Sequence, residues 1–504
     1  MPRSLAFRLP ARPAARAVAS LLLAAAATAH AADGDEGGAI VAPAAHARIT
    51  FERVKFPGNE KVGLVGTSYL IDVPAVEGLS IGPGVYGAIT GRRGGFFTVG
   101  GEVAWRKRLV GPLGVEIGYF VGGGGGGSAP QGGGLMLRPH ADLVWALGSH
   151  AVGLSVSQVS FPNGDIKSTQ LGLVLNISDE FRFVRPDRLD QPIGSGGRAG
   201  IGFDRIQLVT GFYRTRRATA LDGSALPRTI GMVGIRAEQA WGPHAYWGVE
   251  AMGAGQRDVA GYAEYLGTVG YESEVVPHSV TLGGRIALGM GGGGRIPVGG
   301  GLLAKASLYG VLRLGDDFGL ALEGGIVSAP KGDLRAASAT ASLVWALDGP
   351  RSAGTPARPT RTEFSLGVER YDAARKDGST RPIDAAVLKG DRYLTPNLYL
   401  TGQVHAAVTG GAGGYASAYI GGGWRQPIGS RAHVAAEMLA GVAGGGGIDS
   451  RGAVIQPMVY AGYQFTPAFG LRVGAGRIRA LDGPLNATVL SALLTVTYGV
   501  SSGV

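Results

Sequence analysis

Several things are absent from this chain of 504 residues, and each absence removes a class of protein. There is no cysteine, so neither disulfides nor thiolate metal sites can brace the fold. Charged residues make up only 17% of the chain, while 45% are hydrophobic, which argues against disorder. After residue 32 no stretch of eighteen apolar residues occurs, so no helix long enough to cross a bilayer is encoded. The eight histidines are scattered without metal-ligand spacing, and neither metal nor cofactor is expected. Glycine, at 90 residues, is more than twice its usual share, yet neither a Gly-X-Y period nor a proline excess supports collagen.

The N-terminus looks like an export signal. Arg3, Arg8, Arg12 and Arg16 precede a short apolar core at 17–28 and the small-residue triplet Ala29-His30-Ala31. This pattern predicts a signal peptide over 1–31, cleaved near Ala31, because about a dozen apolar residues are too few to span a membrane. Removing those four arginines takes the basic count from 47 to 43 against 37 acidic residues. That mild excess leaves no nucleic-acid footprint.

The glycines carry the organisation. Runs at Gly122–Gly127, Gly291–Gly294 and Gly444–Gly447 each follow an alternating segment and precede two more. The recurrence, at a period of roughly 150 residues, marks three repeats. The expected division is a flexible leader at 32–47, repeats at 48–178, 203–347 and 362–504, and linkers at 179–202 and 348–361. Each repeat reads as about eight short strands. In the first they are predicted near 48–56, 61–73, 79–90, 96–109, 114–121, 135–147, 151–161 and 169–177. The run 335–347 is rich enough in alanine for a helix, but its alignment with 167–177 and 485–498 favours a strand.

Alternation sets the faces. Leu171, Leu173, Leu175 and Ile177 share one side of their strand; Leu135, Leu137, Ala141, Leu143, Trp145 and Leu147 share one side of another. Opposite them, facing inward, the expected charged or polar lining is Glu102, Glu116, Arg138, His140 and Asp142 in the first repeat. Arg285, Lys305, Arg313 and Glu323 follow in the second, and Gln403, His405 and Glu437 in the third. Some twenty such segments of about ten residues each are the pattern of a transmembrane β-barrel. Trp105, Trp145, Trp241, Trp247, Trp345 and Trp424 all fall toward one rim, as an interfacial aromatic belt requires.

Export signal, alternating strands, short turns and a tryptophan rim together resemble Gram-negative outer-membrane β-barrel (porin-like) proteins over nearly the whole mature chain. The resemblance implies an all-β, antiparallel barrel of the bacterial outer membrane, in contact with outer-membrane lipid and the outer-membrane assembly machinery. It departs from the pattern at the end, because Gly499–Val504 follows the aromatic Tyr498 of the last strand.

Eight strands three times allow one barrel of about 22–24 strands, which is the expectation, or three tandem eight-stranded barrels. The first encloses a wide lumen and the second is filled, since diameter grows with strand number. A non-enzymatic pore for diffusion or export, of unknown cargo, is the expected function. Its mouth would be ringed by 122–134, 291–301 and 444–453. The alternative is a structural or surface-interaction protein of closed barrels. A barrel-embedded lipid hydrolase needs a Ser–His pair, and Ser128 with His140 is a poor candidate. Gly82–Gly87 matches a dinucleotide pattern and Gly78–Gly82 a nucleophile elbow, but both motifs need a following helix; the first lies inside an alternating strand, and the second has no strand-to-helix turn.

Overall fold

The computed structural model describes residues 40–189, 191, 203–215, 219–315, 317–347 and 359–500; the expected signal peptide lies outside them. It resolves the choice of architecture in favour of three eight-stranded barrels, and the single barrel of about 22–24 strands is not formed.

A short strand β1 (Ile40–Val41) precedes the first barrel. That barrel comprises β2 (Ala44–Phe56), β3 (Glu60–Asp72), β4 (Leu79–Thr90), β5 (Phe97–Val110), β6 (Leu113–Gly125), β7 (Met136–Leu147), β8 (His150–Ser160) and β9 (Lys167–Glu180). After β10 (Phe183–Val184) comes the second barrel: β11 (Arg205–Thr215), β12 (Thr229–Ala240), β13 (Ala245–Ala254), β14 (Ala263–Val276), β15 (Val280–Gly292), β16 (Leu302–Arg313), β17 (Phe318–Ser328) and β18 (Arg335–Ala346). The third is β19 (Thr360–Ala374), β20 (Thr380–Tyr393), β21 (Leu398–Ala407), β22 (Ala416–Ile428), β23 (Ala432–Gly444), β24 (Gly452–Gln464), β25 (Phe469–Ala480) and β26 (Asn486–Val500).

Each barrel runs up and down and closes on itself. Phe51 pairs with Leu173 between β2 and β9, Leu208 with Leu343 between β11 and β18, and Leu366 with Leu494 between β19 and β26. Self-closure pairs both edges of every barrel strand within its own repeat, so no strand of one barrel continues the sheet of another. The alanine-rich 335–346 is strand β18, as its alignment indicated. Ladder pairing on both sides outweighs the helical propensity of alanine.

Three boundaries differ from the expected ones. Residues 44–47 of the expected leader belong to β2, 179–180 of the first linker to β9, and 360–361 of the second linker to β19. Within that linker β10 pairs with both β1 and β26. This places Phe181 and Phe183 against Tyr498, with ring centroids 5.5 and 6.3 Å away, so the residues around the last aromatic tie the first barrel to the third. The connection between β19 and β20 is short, only 375–379.

The apolar residues are distributed inside out. Leu143, Leu154 and Leu173 are half or more exposed and stand side by side across β7, β8 and β9. Leu312, Leu320, Leu343 and Leu208 form a similar exposed row across β16, β17, β18 and β11. Charged side chains meanwhile lie at the centre of each barrel. All six tryptophans sit toward the end where the chain enters and leaves each barrel, hereafter the turn end. The glycine runs lie at the opposite, loop end.

Candidate functional site

The strand period of two, closed into eight strands, sends one set of side chains to a narrow axis that side chains alone can fill. Toward the loop end of the first barrel the filling is apolar: Phe56, Leu64, Tyr86, Phe96, Phe120, Met136 and Phe161 form one buried cluster. The second and third barrels carry corresponding clusters around Tyr213, Tyr262 and Leu303, and around Tyr371, Tyr415 and Leu439.

Ion pairs occupy the remainder. Arg48 is the hub of the first barrel, 2.6 Å from Asp142, 3.2 Å from Glu116 and 3.3 Å from Glu102. His140 bridges Glu102 and Asp142 at 2.9 and 3.2 Å. Arg138 makes a separate two-pronged pair with Glu52, at 3.0 and 2.9 Å. In the second barrel Arg236 joins Glu250 and Glu323, Arg285 joins Glu238, and Lys305 joins Glu250 and Glu264. In the third, Lys389 lies 2.6 Å from both Asp391 and Glu437, while Arg472 pairs with Asp391 and Glu363. His405 Nδ1 is 3.2 Å from Glu369, and Gln403 donates to Glu437 at 3.1 Å.

Eleven of the twelve residues expected to face inward therefore take part in these networks. Arg313 has inward parity but lies at the turn end of β16, where it is largely exposed and pairs with Glu274 at 2.7 Å. Arg48, and not the neighbouring Arg138, holds Glu116 and Asp142, while Glu52 is the partner of Arg138. The expected lining omits Arg48, Glu52, Arg236, Glu238, Glu250, Lys389, Asp391 and Arg472. The alternation that located Arg138 would have found them, as in Arg48-Ile49-Thr50-Phe51-Glu52, where polar residues occupy every second position.

Two chemical readings of the interior lose their basis here. Glu116, His140 and Asp142 present ligand atoms within 4.8 Å of one another, but the Arg48 guanidinium already sits among their oxygens and supplies the countercharge. Ser128 lies in the loop-end glycine segment, while His140 is buried in the ion network of β7 and bonded to carboxylates. The Ser–His pair does not form.

The glycine runs are not loose loops around a wide mouth. Gly122–Gly125 belong to β6, Gly291–Gly292 to β15 and Gly444 to β23, and each run brings a glycine backbone into close contact with a neighbouring barrel. A Cβ at Gly95 would lie 2.3 Å from the nitrogen of Gly293, across the contact between the first and second barrels. A Cβ at Gly261 would lie 2.8 Å from the nitrogen of Gly445, across the second and third. At Gly414 it would lie 2.9 Å from the nitrogen of Gly126, across the third and first. The same contact is made three times, head to tail, and the ring closes as a rotation of three requires. Main-chain hydrogen bonds reinforce two of the three contacts: Gly94 donates to Gly299 and Gly414 to Gly124. Only glycine admits such close approach of two backbones.

Above this seam, at the loop end, lies a shared bowl of about 1400 Å³. All three barrels contribute to its wall, including Gly95, Gly126, Gly261, Gly293, Gly414 and Gly445. Lys61, Arg92, Arg93, Arg295 and Lys376 line it together with the carboxylates Glu60 and Asp222. Arg93 pairs with Glu60 at 2.6 Å and also donates to the carbonyls of Gly127 and Ser128. Arg295 pairs with Asp222 at 2.5 Å and donates to the Asp258 carbonyl. Asp222 also accepts from the Ser224 hydroxyl, and that bond, followed by Arg295, holds its carboxyl well below the usual carboxylate range.

No family model matches the chain, and no curated protein matches it. Among solved structures it is similar to OccK3 (OpdO) of Pseudomonas aeruginosa, with 9% identity over 91% of this chain and 95% of that one, at a TM-score of 0.22. OccK2 (OpdF) of the same organism, in complex with glucuronate, gives 11% identity over 91% and 98%, at 0.22. OccAB3 of Acinetobacter baumannii gives 8% over 90% and 99%, at 0.21. Likeness at these TM-scores carries no argument about function. By its own strand pairing the chain is an all-β protein built as three closed, antiparallel eight-stranded barrels.

Proposed function

We propose that this chain is an integral, non-enzymatic protein of the bacterial outer membrane, in which three filled barrels hold a common binding surface at the loop end. One observation carries the reading: adjacent strands present continuous exposed rows of leucine outward while arginine, lysine and glutamate are buried inside. In water such a surface would drive association. In a bilayer the outer rows meet hydrocarbon and every main-chain group is paired within a closed barrel. Outer-membrane lipid is the direct partner, and the assembly machinery that inserts such barrels is the other. The tryptophans form the interfacial belt at the turn end, which faces the periplasm, and the bowl opens outward.

With each interior filled by apolar clusters and ion pairs, the surface-interaction role fits the geometry best. A diffusion pore is the second reading, favoured by the position of the bowl over the axis where the three barrels meet. In that case the passage is the axis and not the barrel interiors.

Fractionation tests the assignment. The protein is expected with outer membranes, and it should migrate faster unboiled than boiled on SDS gels. Protease added to intact cells should cut near Arg92-Arg93, Arg216-Arg217 and Arg375-Lys376 and spare the linkers at 179–202 and 348–361. Recovery in the soluble periplasmic fraction would refute the assignment.

A further inference from the structure

We infer that the bowl at the loop end is a binding site for a multivalent anion bearing clustered phosphates. The inference rests on the membrane reading above and names the ligand of that surface. The charge inventory is its first support. Both carboxylates in the wall are engaged by an arginine, Glu60 by Arg93 and Asp222 by Arg295. Lys61, Arg92 and Lys376 are exposed and, among the described residues, none of the three has a carboxylate within ion-pair distance. The bowl therefore carries three positive charges beyond those its own acids neutralise.

The second support is how firmly the wall is built. Arg93, Arg295 and Arg375 spend their guanidinium groups on main-chain carbonyls of the glycine segments and the loops beside them: Gly127 and Ser128, Asp258, and Gly446 with Gly410. Equivalent turns recur in the three barrels, with Ala129, Ile296 and Ile448 donating to the carbonyls of Gly126, Gly293 and Gly445 at 3.0 Å. The surplus cations thus stand on a braced floor, and little ordering is required when a ligand arrives. Preorganisation of this kind lowers the cost of binding.

Position is the third support. Lys61 and Arg92 come from the first barrel and Lys376 from the third, so the surplus charges reach the concave space from two barrels. A single carboxylate satisfies one of them. A ligand with several phosphates can meet all of them, and lysine and arginine both serve as phosphate binders. Two sources have this chemistry: phosphorylated glycolipid of the outer leaflet, and soluble polyphosphorylated molecules.

Titration of the detergent-purified full chain with inorganic tripolyphosphate tests the inference, with faster migration of the unboiled sample checked on the same preparation. Binding should be saturable and should weaken as salt rises from 0.05 to 0.5 M, roughly the range over which exposed charges become screened. Lys61→Gln, Arg92→Gln and Lys376→Gln combined should weaken it on the order of tenfold, about what three exposed ionic contacts supply. Arg313→Gln removes an exposed charge at the opposite end and should leave affinity unchanged. Competition by lipopolysaccharide micelles, but not by dephosphorylated ones, assigns the glycolipid source; competition by neither assigns a soluble one. A heat-modifiable sample that binds no tripolyphosphate, or a triple variant that binds as tightly as the native chain, overturns the inference. Loss of heat modifiability in the native chain would instead count against the membrane reading.

Discussion

Substitution of Arg138 separates a filled barrel from an open one. Its guanidinium is fully buried, makes two charge-assisted hydrogen bonds to Glu52, and lies 4.9 Å from the Tyr86 ring centre. Arg138→Met removes both bonds and leaves the Glu52 carboxylate buried, with Ser157 as its remaining close donor at 2.5 Å. Breaking a buried pair on one side costs about 3–5 kcal/mol, because the surviving charge has neither water nor a partner. Replacing both members by apolar residues removes that stranded charge and is often close to neutral. Arg138→Met with Glu52→Leu should therefore be more stable than Arg138→Met alone. The coupling between the two sites should be on the order of 2–3 kcal/mol, the upper range for contacting residues. Urea unfolding of the refolded protein in lipid vesicles, followed by tryptophan fluorescence and by gel migration, measures each variant. If Arg138→Met costs under about 1 kcal/mol, or if the two substitutions add independently, water reaches the pair and the filled-barrel argument fails.

Other expectations follow from the same geometry. Leu173→Arg on the outward face should cost about 2–4 kcal/mol in vesicles if it lies near the bilayer midplane; an effect within 0.5 kcal/mol, ordinary for a water-exposed site, would contradict embedding. Gly95→Ala, Gly261→Ala and Gly414→Ala should each loosen one seam contact, seen as faster proteolysis of loops 91–96, 255–262 or 408–415 while gel mobility of the folded form persists. Unchanged proteolysis would mean that the seam is not a close backbone contact. For Asp222 the folded pKa is depressed, so its anchoring of loop 219–228 is present above the ordinary carboxylate range and is lost only as pH falls through the lower, folded value. Trypsin protection at Arg228 should thus be equal at pH 7 and pH 5, and Asp222→Asn should lose it at both; loss of protection by pH 5 in the native chain would show that Arg295 and Ser224 do not hold the carboxylate.

Much of this architecture was legible in the sequence, and the limit of that legibility has a physical cause. The alternation that faces Leu171 and Leu173 outward and Glu116 inward is local, so strand number, face and order could be read directly. Closure is different: whether β9 turns back to β2 or continues to β11 depends on pairing between segments more than a hundred residues apart. No periodicity encodes it. The glycine runs show the same limit. Their recurrence marks the repeats, but only the three-dimensional arrangement reveals that Gly95 meets Gly293 and Gly414 meets Gly126 across barrels. The partner of Arg138 is not legible for a related reason: inward parity says which side a residue faces, while the height and angle at which two side chains meet depend on strand stagger around the barrel.

Because the chain has no cysteine, introduced pairs can report closure without background. Phe51→Cys with Leu173→Cys, Leu208→Cys with Leu343→Cys, and Leu366→Cys with Leu494→Cys each place two thiols on directly paired residues of a closing ladder. Neighbouring Cα atoms at such positions fall within the span a disulfide tolerates, about 4.4–6.8 Å. Three self-closed barrels predict that all three pairs oxidise within one chain, each giving a distinct loop on unreduced gels. Failure of all three pairs, together with ready cross-linking of Leu173→Cys to Leu208→Cys between β9 and β11, would mean one continuous barrel and would contradict the account.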